Sequence, residues 1–198
     1  MIYDHAMIAQ LAQRCAPEVA TEAVVPLVIT ESGGNTLQIN INKGPRVQAG
    51  SVERAAALVR RYMAAGYTVD VGLAQVNSGN FARFGVSVEQ AFEPCTNLRL
   101  ASAVLQEGYA RASRSYAGLD AMSATYSLYN SGSMTRGLRN GYVGRVLANA
   151  AASGAIDAAP SLPVTPPSGS ATHRADAQVD DSTRWVVGQI DASVEVFK

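Results

Sequence analysis

The chain has 198 residues, of which 47% are hydrophobic, and its 16 Lys and Arg residues balance 16 Asp and Glu residues. Nucleic-acid binding normally requires a basic excess on one face, so this balance argues against nucleic acid as a partner. No apolar run approaches the roughly 20 residues that span a bilayer, and no transmembrane segment is predicted. The two histidines, His5 and His173, lie far apart in the sequence. We therefore expect no metal site, no cofactor and no Ser-His-Asp triad.

Proline and serine mark a change in composition near residue 160. Four of the eight prolines fall close together, at Pro160, Pro163, Pro166 and Pro167. Such a segment carries too little apolar surface to offset the entropy of ordering it. We predict a folded domain over residues 1–159 and a Pro/Ser-rich flexible tail over residues 160–198, dispensable for folding and activity. Apolar residues return from Trp185 onwards, where a docking segment for a partner and a plain chain end are alternatives.

Apolar residues recur at helical spacing over most of the first 159 residues. Asp4 and Ser51 are typical helix N-caps, and Ser87 with Gln90 forms a capping box before a short helical turn. The predicted helices follow Asp4 up to Cys15 and then cover about Thr21–Ser32, Val52–Ala65, Thr96–Ser113, Leu119–Tyr129 and Tyr142–Ala152. Pro26 conflicts with the second helix, because it removes one backbone hydrogen bond, and it predicts a kink or a later start.

Two short segments between the helices have the character of β-strands. Leu37–Ile41 and Tyr67–Val71 alternate or contain β-branched residues, and we predict that they pair as a small sheet. No internal repeat is visible. The predicted fold class is therefore α+β, predominantly helical, with a small β element.

Cys15 and Cys95 are the only cysteines in the sequence. In an oxidising compartment they would form one disulfide that closes a long loop and contributes about 4 kcal/mol of stability. Two buried, unpaired thiols are the alternative. The N-terminus shows no charged region followed by an apolar stretch, so we expect an export signal to be either removed or absent.

Four short segments carry the candidate chemistry: ESGGN at 31–35, GLAQVN at 72–77, LYNSG at 128–132 and GYVGRV at 141–146. Each alone is ordinary turn chemistry, but their order and spacing together indicate one site. The candidate side chains beyond Glu31 are mostly neutral amides and aromatic hydroxyls. Such groups suit the hydroxyls and acetamides of a sugar chain better than a charged ligand.

Glu31 ends an otherwise apolar helical face formed by Val24, Leu27 and Val28. We expect desolvation there to raise the pKa of the Glu31 carboxyl. A carboxylic acid that stays protonated near neutral pH is what protonation of a glycosidic oxygen requires. The alternative is an ordinary glutamate at a helix end, pointing into water.

The four segments in this order resemble the motifs of the soluble lytic transglycosylase domain, which has a goose-lysozyme-like fold. The resemblance covers about residues 8–152. The pattern from Val69 through GLAQVN to Pro94-Cys95-Thr96-Asn97-Leu98 is similar to the specialised peptidoglycan-cleaving components of type IV secretion and conjugation systems. The resemblance therefore implies a periplasmic location, peptidoglycan glycan strands as substrate and type IV secretion components as partners.

The resemblance also assigns roles to individual residues. Glu31 matches the single catalytic acid/base, which cleaves the β-1,4 bond between N-acetylmuramic acid and N-acetylglucosamine and leaves a 1,6-anhydromuramoyl end. The positions that match substrate-facing or orienting residues are Ser32, Gln75, Asn77, Tyr129, Asn130 and Tyr142, the last of which orients Glu31. Ala74 is a departure, because the family usually has methionine beside the sugar there, and Pro26 within the helix of Glu31 is another.

Two other functions remain open. A hydrolytic muramidase normally needs a second carboxylate to activate water, and Asp70 is the acidic residue near a motif that would serve. Its place in a Val-Asp-Val strand favours a structural role instead. A non-catalytic peptidoglycan-binding scaffold of the secretion apparatus is the other alternative, against which an intact Glu31 argues.

Overall fold

The computed structural model describes residues 1–157. The predicted tail over residues 160–198, including the apolar stretch from Trp185, lies outside the described residues. Within the described part, tertiary contacts group residues 1–104 and residues 105–157 into two compact units. The division falls inside a long helix that runs from Pro94 to Ala112.

Three α-helices of the first unit begin at side chains that satisfy free backbone N–H groups. Asp4 accepts the Met7 N–H at 2.8 Å, Ser51 accepts the Arg54 N–H, and Ser87 with Gln90 forms the predicted capping box. The helices of this unit are α1 (His5–Cys15), α2 (Thr21–Ser32), α3 (Val52–Ala64), α4 (Phe81–Phe84), α5 (Val88–Phe92) and the start of α6 (Pro94–Ala112). A short 3-10 turn at Ser78–Asn80 precedes α4, and neither element was predicted, because both are too short to show a periodicity.

Helix α2 contains Pro26 but begins at Thr21. The later start that the proline predicts is therefore wrong. A proline in the second turn removes one backbone hydrogen bond. The side chains of residues 23–28 are all buried, and their burial stabilises the helix despite that missing bond. The Thr30 hydroxyl also donates to the Pro26 carbonyl at 2.7 Å.

The β element is a three-stranded antiparallel sheet of β1 (Ile39–Ile41), β2 (Val69–Val71) and β3 (Val76–Asn77), in that order. The predicted pairing of the first two strands is confirmed, over a shorter length. Strand β3 was not predicted, because two residues carry no alternation. The branched aliphatic side chains of the sheet point to its buried face, whereas Asn40, Asp70 and Asn77 stand opposite one another on the other face.

A disulfide joins Cys15, the last residue of α1, to Cys95, the second residue of α6. Their Cα atoms are 5.3 Å apart, and the bond bridges a sequence separation of 80 residues. Both cysteines lie in the first unit, so the bond ties the end of its first helix to the beginning of its last.

Removal of this disulfide is expected to lower the free energy of unfolding by about 4 kcal/mol, because the open chain gains conformational entropy when unfolded. The change is Cys15→Ala with Cys95→Ala, and the measurement is a urea unfolding curve. Reductant should destabilise the parent chain by a similar amount and leave the variant unaffected. An unfolding midpoint common to parent and variant would show that the bond contributes nothing.

The second unit comprises the end of α6 with α7 (Gly118–Ser131), α8 (Arg136–Arg139) and α9 (Tyr142–Ala152). Helix α9 has the predicted bounds, α7 is slightly longer than predicted, and α8 was not predicted because it is a single turn. Helices α7 and α8 pack closely, since a Cβ atom on Gly137 would lie 2.7 Å from the Ser127 Cα. The buried large side chains of this unit include Leu105, Met122, Tyr126, Leu147 and Ile156.

The secondary structure thus confirms the predicted fold class: α+β, predominantly helical, with a small β element. None of the helices within residues 1–157 combines the length and the apolar content that crossing a membrane requires.

Candidate functional site

Glu31 lies in the last turn of α2, after a run of buried side chains. Glu31 and its neighbour Ser32 are both half-buried. The helix ends at Gly33, which has a left-handed φ of 59° and donates its N–H to the Ile29 carbonyl at 3.1 Å. The Ser32 hydroxyl donates to the Val28 carbonyl and accepts the Gly34 N–H at 3.1 Å. These contacts fix the helix end that carries Glu31.

The glycines after Glu31 pack against the beginning of the chain. Tyr3 donates its N–H to the Gly34 carbonyl at 2.9 Å, and Ile2 forms a β-bridge with Asn35. Gly34 has a φ of 81°, and a Cβ atom there would lie 2.0 Å from the Tyr3 carbonyl oxygen. Only glycine therefore fits at this point of the ESGGN segment.

The GLAQVN segment begins with a tight turn between β2 and β3. Gly72 has a φ of 77°, and Gln75 has a φ of 50°, which is uncommon for a residue other than glycine. The Gln75 side chain is 8% exposed, and its Nε2 donates to the carbonyls of Gln38 at 3.1 Å and Gly72 at 3.0 Å. Both amide hydrogens of Gln75 are therefore used within the fold, whereas its Oε1 accepts no hydrogen bond from residues 1–157.

Gln38 joins the ESGGN segment to the GLAQVN segment. Its carbonyl accepts both the Gly72 N–H at 2.9 Å and the Gln75 Nε2, and its Oε1 accepts the Asn35 Nδ2 at 3.3 Å. The structure thus brings these two motifs together through one residue that sequence reasoning did not single out. Gln38 lies in the predicted strand Leu37–Ile41 and directly precedes β1, and nothing in the sequence distinguishes it from other polar residues of such a segment.

Asn97 is a second residue to which the sequence analysis gave no role, although it belongs to the Pro94–Leu98 pattern. It is fully buried at the end of the first turn of α6. Its Oδ1 accepts the Ala74 N–H at 2.8 Å, and its Nδ2 donates to the carbonyls of Val71 at 2.9 Å and Ala91 at 2.8 Å. The sequence contains one signal for this role: Asn97 lies four residues before Ala101, which puts a polar amide on the apolar face of the predicted helix.

Asp70 and Asn77 lie side by side on the open face of the sheet. The Asp70 Oδ1 accepts the Asn77 Nδ2 at 2.6 Å, and its Oδ2 accepts the amides of Asn40 at 2.9 Å and Asn42 at 3.1 Å. The Asn77 Oδ1 accepts the Gly79 N–H at 2.9 Å. Asp70 therefore holds Asn77 in a fixed orientation, and three of about four lone-pair positions of its carboxylate are occupied.

The third and fourth motifs lie in the second unit, where Asn140 connects them. Its Nδ2 donates to the Asn130 Oδ1 at 3.0 Å, and its Oδ1 accepts the Tyr142 N–H at 3.0 Å. Tyr142 is buried at the start of α9, with the Arg145 guanidinium 5.9 Å from its ring centre. Tyr129 is half-buried and Asn130 is exposed at the end of α7. Among residues 1–157, no three His, Cys, Asp or Glu side chains lie close enough together to hold a metal ion.

Comparison with known proteins places these motifs in a family. The profile of the transglycosylase SLT domain matches residues 9–149. The chain is 36% identical, over 148 residues, to the type IV secretion system protein virB1 of Brucella abortus (strain 2308) and to that of Brucella suis biovar 1 (strain 1330). That match covers 71% of this chain and 62% of each relative. Protein virB1 of Rhizobium radiobacter is 33% identical over 145 residues, 73% of this chain and 59% of the relative.

The chain thus spans about three fifths of the length of the curated relatives it matches. No solved structure matches it significantly. The matched range contains all four segments from ESGGN to GYVGRV, and it confirms the resemblance drawn from them. The chain belongs to the transglycosylase SLT domain family.

Proposed function

We propose that this protein is a peptidoglycan lytic transglycosylase. It cleaves the β-1,4 bond between N-acetylmuramic acid and N-acetylglucosamine in glycan strands and leaves a 1,6-anhydromuramoyl end. The observation that carries the proposal is Glu31, half-buried in the last turn of an apolar helix within the range that matches the transglycosylase SLT domain.

Glu31 acts first as an acid and then as a base. Its carboxyl proton passes to the glycosidic oxygen as the bond from that oxygen to the muramoyl anomeric carbon breaks. The muramoyl C6 hydroxyl oxygen then bonds to the anomeric carbon and gives its proton to the Glu31 carboxylate. The carboxyl is thereby regenerated, and no water is consumed.

The remaining motif residues bind and orient the sugar chain. We assign Gln75, Asn77, Tyr129 and Asn130 to substrate contact, and Tyr142 to orienting Glu31. The contacts of Gln75 support this assignment for the second motif, since both hydrogens of its amide bond backbone carbonyls and its Oε1 is left to accept a hydrogen bond from a sugar hydroxyl or acetamide N–H. Ser32 acts through the helix end: its hydroxyl bonds the Val28 carbonyl and the Gly34 N–H on either side of Glu31.

The products of a peptidoglycan digest test the reaction. Fragments separated by liquid chromatography and weighed by mass spectrometry should be lighter by one water than those made by a hydrolase. They should also resist borohydride reduction, because an anhydro end has no free aldehyde. Reducible muramic acid ends as the main product would establish a hydrolase, and a folded chain that releases no fragments would establish a binding scaffold.

Asp70→Asn separates the transglycosylase from a hydrolase in which Asp70 activates water. Because the Asp70 carboxylate already accepts three asparagine amides, we expect the variant to retain its turnover number within about tenfold. The remaining loss reflects a looser Asn77. Loss of a true general base would lower the turnover number about 100-fold to 10,000-fold. Steady-state rates on purified peptidoglycan at one pH decide between the two, and a loss of the larger size would contradict the structural role of Asp70.

We further propose that the enzyme works in the periplasm and opens the cell wall locally for assembly of a type IV secretion system. The names of its relatives in Brucella support the secretion context. The Cys15–Cys95 disulfide supports an oxidising compartment, since such bonds persist outside the cytosol. Alkylation of unreduced periplasmic protein, followed by mass spectrometry, should label neither cysteine. Labelling of both would show that the bond is absent in that compartment and would remove this support for the location.

A further inference from the structure

We propose that Asn97 is a positioning residue for substrate binding at the GLAQVN segment. The inference deepens the proposed function, because it assigns to a buried residue on α6 the task of shaping a segment that contacts the glycan. Asn97 itself is fully buried. It acts through Gln75.

The contacts of Asn97 all go to backbone groups, two of which flank the turn. It accepts the Ala74 N–H and donates to the Val71 carbonyl, so one side chain holds both sides of the turn at Gly72 and Leu73. Its second amide hydrogen goes to the Ala91 carbonyl at the end of α5. Loss of the side chain would leave the Ala74 N–H without this partner, and such a buried group costs about 1–3 kcal/mol.

The turn packs closely against Asn97 at Gly72. A Cβ atom at Gly72 would lie 2.5 Å from the Asn97 Nδ2, which is closer than any such contact permits. Directly after this turn, Gln75 adopts a left-handed backbone with a φ of 50°. A residue other than glycine keeps that conformation only where its surroundings enforce it. Two contacts do so here: Asn97 holds the neighbouring Ala74, and the Gln75 amide group bonds the Gln38 and Gly72 carbonyls.

Glycan binding measures this positioning directly. The test uses Glu31→Gln as the parent, so that no cleavage occurs, and soluble uncrosslinked peptidoglycan glycan fragments as the probe in calorimetric titrations. Asn97→Ala should weaken binding at least tenfold. Val59→Ala is the matched control, since Val59 is equally buried but lies on α3, outside the motifs. This control should lower stability and leave the dissociation constant within twofold of the parent.

A double-mutant cycle shows whether Asn97 acts through Gln75. If it does, Asn97→Ala combined with Gln75→Ala should bind no more weakly than the weaker of the two single variants. The corresponding cycle with Val59→Ala should be additive. Additive losses for Asn97 and Gln75, or equal binding by the Asn97→Ala and Val59→Ala variants, would overturn the proposal.

Asn97→Asp gives a second readout that also serves if Asn97→Ala does not fold. A protonated carboxyl keeps the acceptor for Ala74 and one donor, whereas the ionised form sets negative oxygens against backbone carbonyls. Binding should therefore approach the parent at low pH and weaken at least tenfold as the pH rises. A pH profile parallel to the parent would overturn the proposal. If Asn97 controls binding but the chain with Glu31 releases no fragments, only the proposed reaction fails.

Discussion

Replacing Glu31 by Gln is expected to abolish peptidoglycan cleavage and to leave the fold intact. The amide is nearly isosteric with the carboxyl, but it neither protonates the glycosidic oxygen nor takes the proton from the C6 hydroxyl. Because general acid and base catalysis each contribute about 100-fold to 10,000-fold, the rate should fall by at least 1,000-fold. The measurement is the release of soluble fragments from purified peptidoglycan, with the thermal midpoint as a check of the fold.

Glu22→Gln is the matched control, since Glu22 lies in the first turn of the same helix and outside the four motifs. That change removes a favourable charge from the helix N-terminus, which costs about 0.3–1 kcal/mol of stability, and should leave the rate within twofold. A Glu31→Gln variant that keeps a tenth or more of the rate would show that another group transfers the proton.

Gly34→Ala is expected to destabilise the protein by about 3 kcal/mol, which lowers the thermal midpoint by roughly 6–12 °C for a chain of this size. The new Cβ atom would lie 2.0 Å from the Tyr3 carbonyl oxygen, so residues 1–3 have to move and the hydrogen bond from Tyr3 to Gly34 breaks. The left-handed backbone adds about 1–2 kcal/mol of strain for any residue with a Cβ atom. Thermal and urea unfolding curves measure the loss.

Gly33→Ala provides the comparison, because Gly33 is the neighbouring residue and also left-handed, yet a Cβ atom there meets nothing within 4 Å. This variant should lose only about 1–2 kcal/mol of stability, which is the strain of a Cβ atom in a left-handed backbone. Cleavage should fall further in Gly34→Ala than in Gly33→Ala, since the displaced segment directly follows Glu31. Equal losses of stability in the two variants would mean that residues 1–3 do not hold the ESGGN segment.

The sequence predicted the helices that carry strong local signals. Three of these helices begin at a capping side chain, that of Asp4, Ser51 or Ser87, which accepts the backbone N–H three residues further on. A few consecutive residues therefore suffice to predict each of these helix starts. Gly33 ends α2 for a similarly local reason. Strand β3 and helix α8 escaped prediction because elements of two to four residues are stabilised by tertiary contacts rather than by their own pattern.

The contacts of the candidate site were less accessible from sequence. Glu31 and the motif residues follow from the resemblance to the family. The side chain of Asn97, in contrast, bonds backbone groups up to 26 residues away, and the Gln38 carbonyl accepts the Gln75 side-chain amide from 37 residues away. No local pattern encodes which carbonyl faces which amide. Gln75 illustrates the difference, since the sequence identifies it as a polar motif residue, whereas only the structure tells which end of its amide is occupied.

The Cys15–Cys95 bond makes residues 15–95 a covalently closed ring, and Glu31, Gln75 and Asn77 all belong to it. The segment between β1 and α3 is one exposed part of this ring, and it contains Lys43 and Arg46, both exposed. A single cut after Arg46 opens the ring without dividing the molecule. The fragment with Glu31 stays bonded to the fragment with Gln75 through the disulfide. Such a nicked enzyme is therefore a single molecule, heavier than the intact chain by one water, until a reductant separates its two pieces.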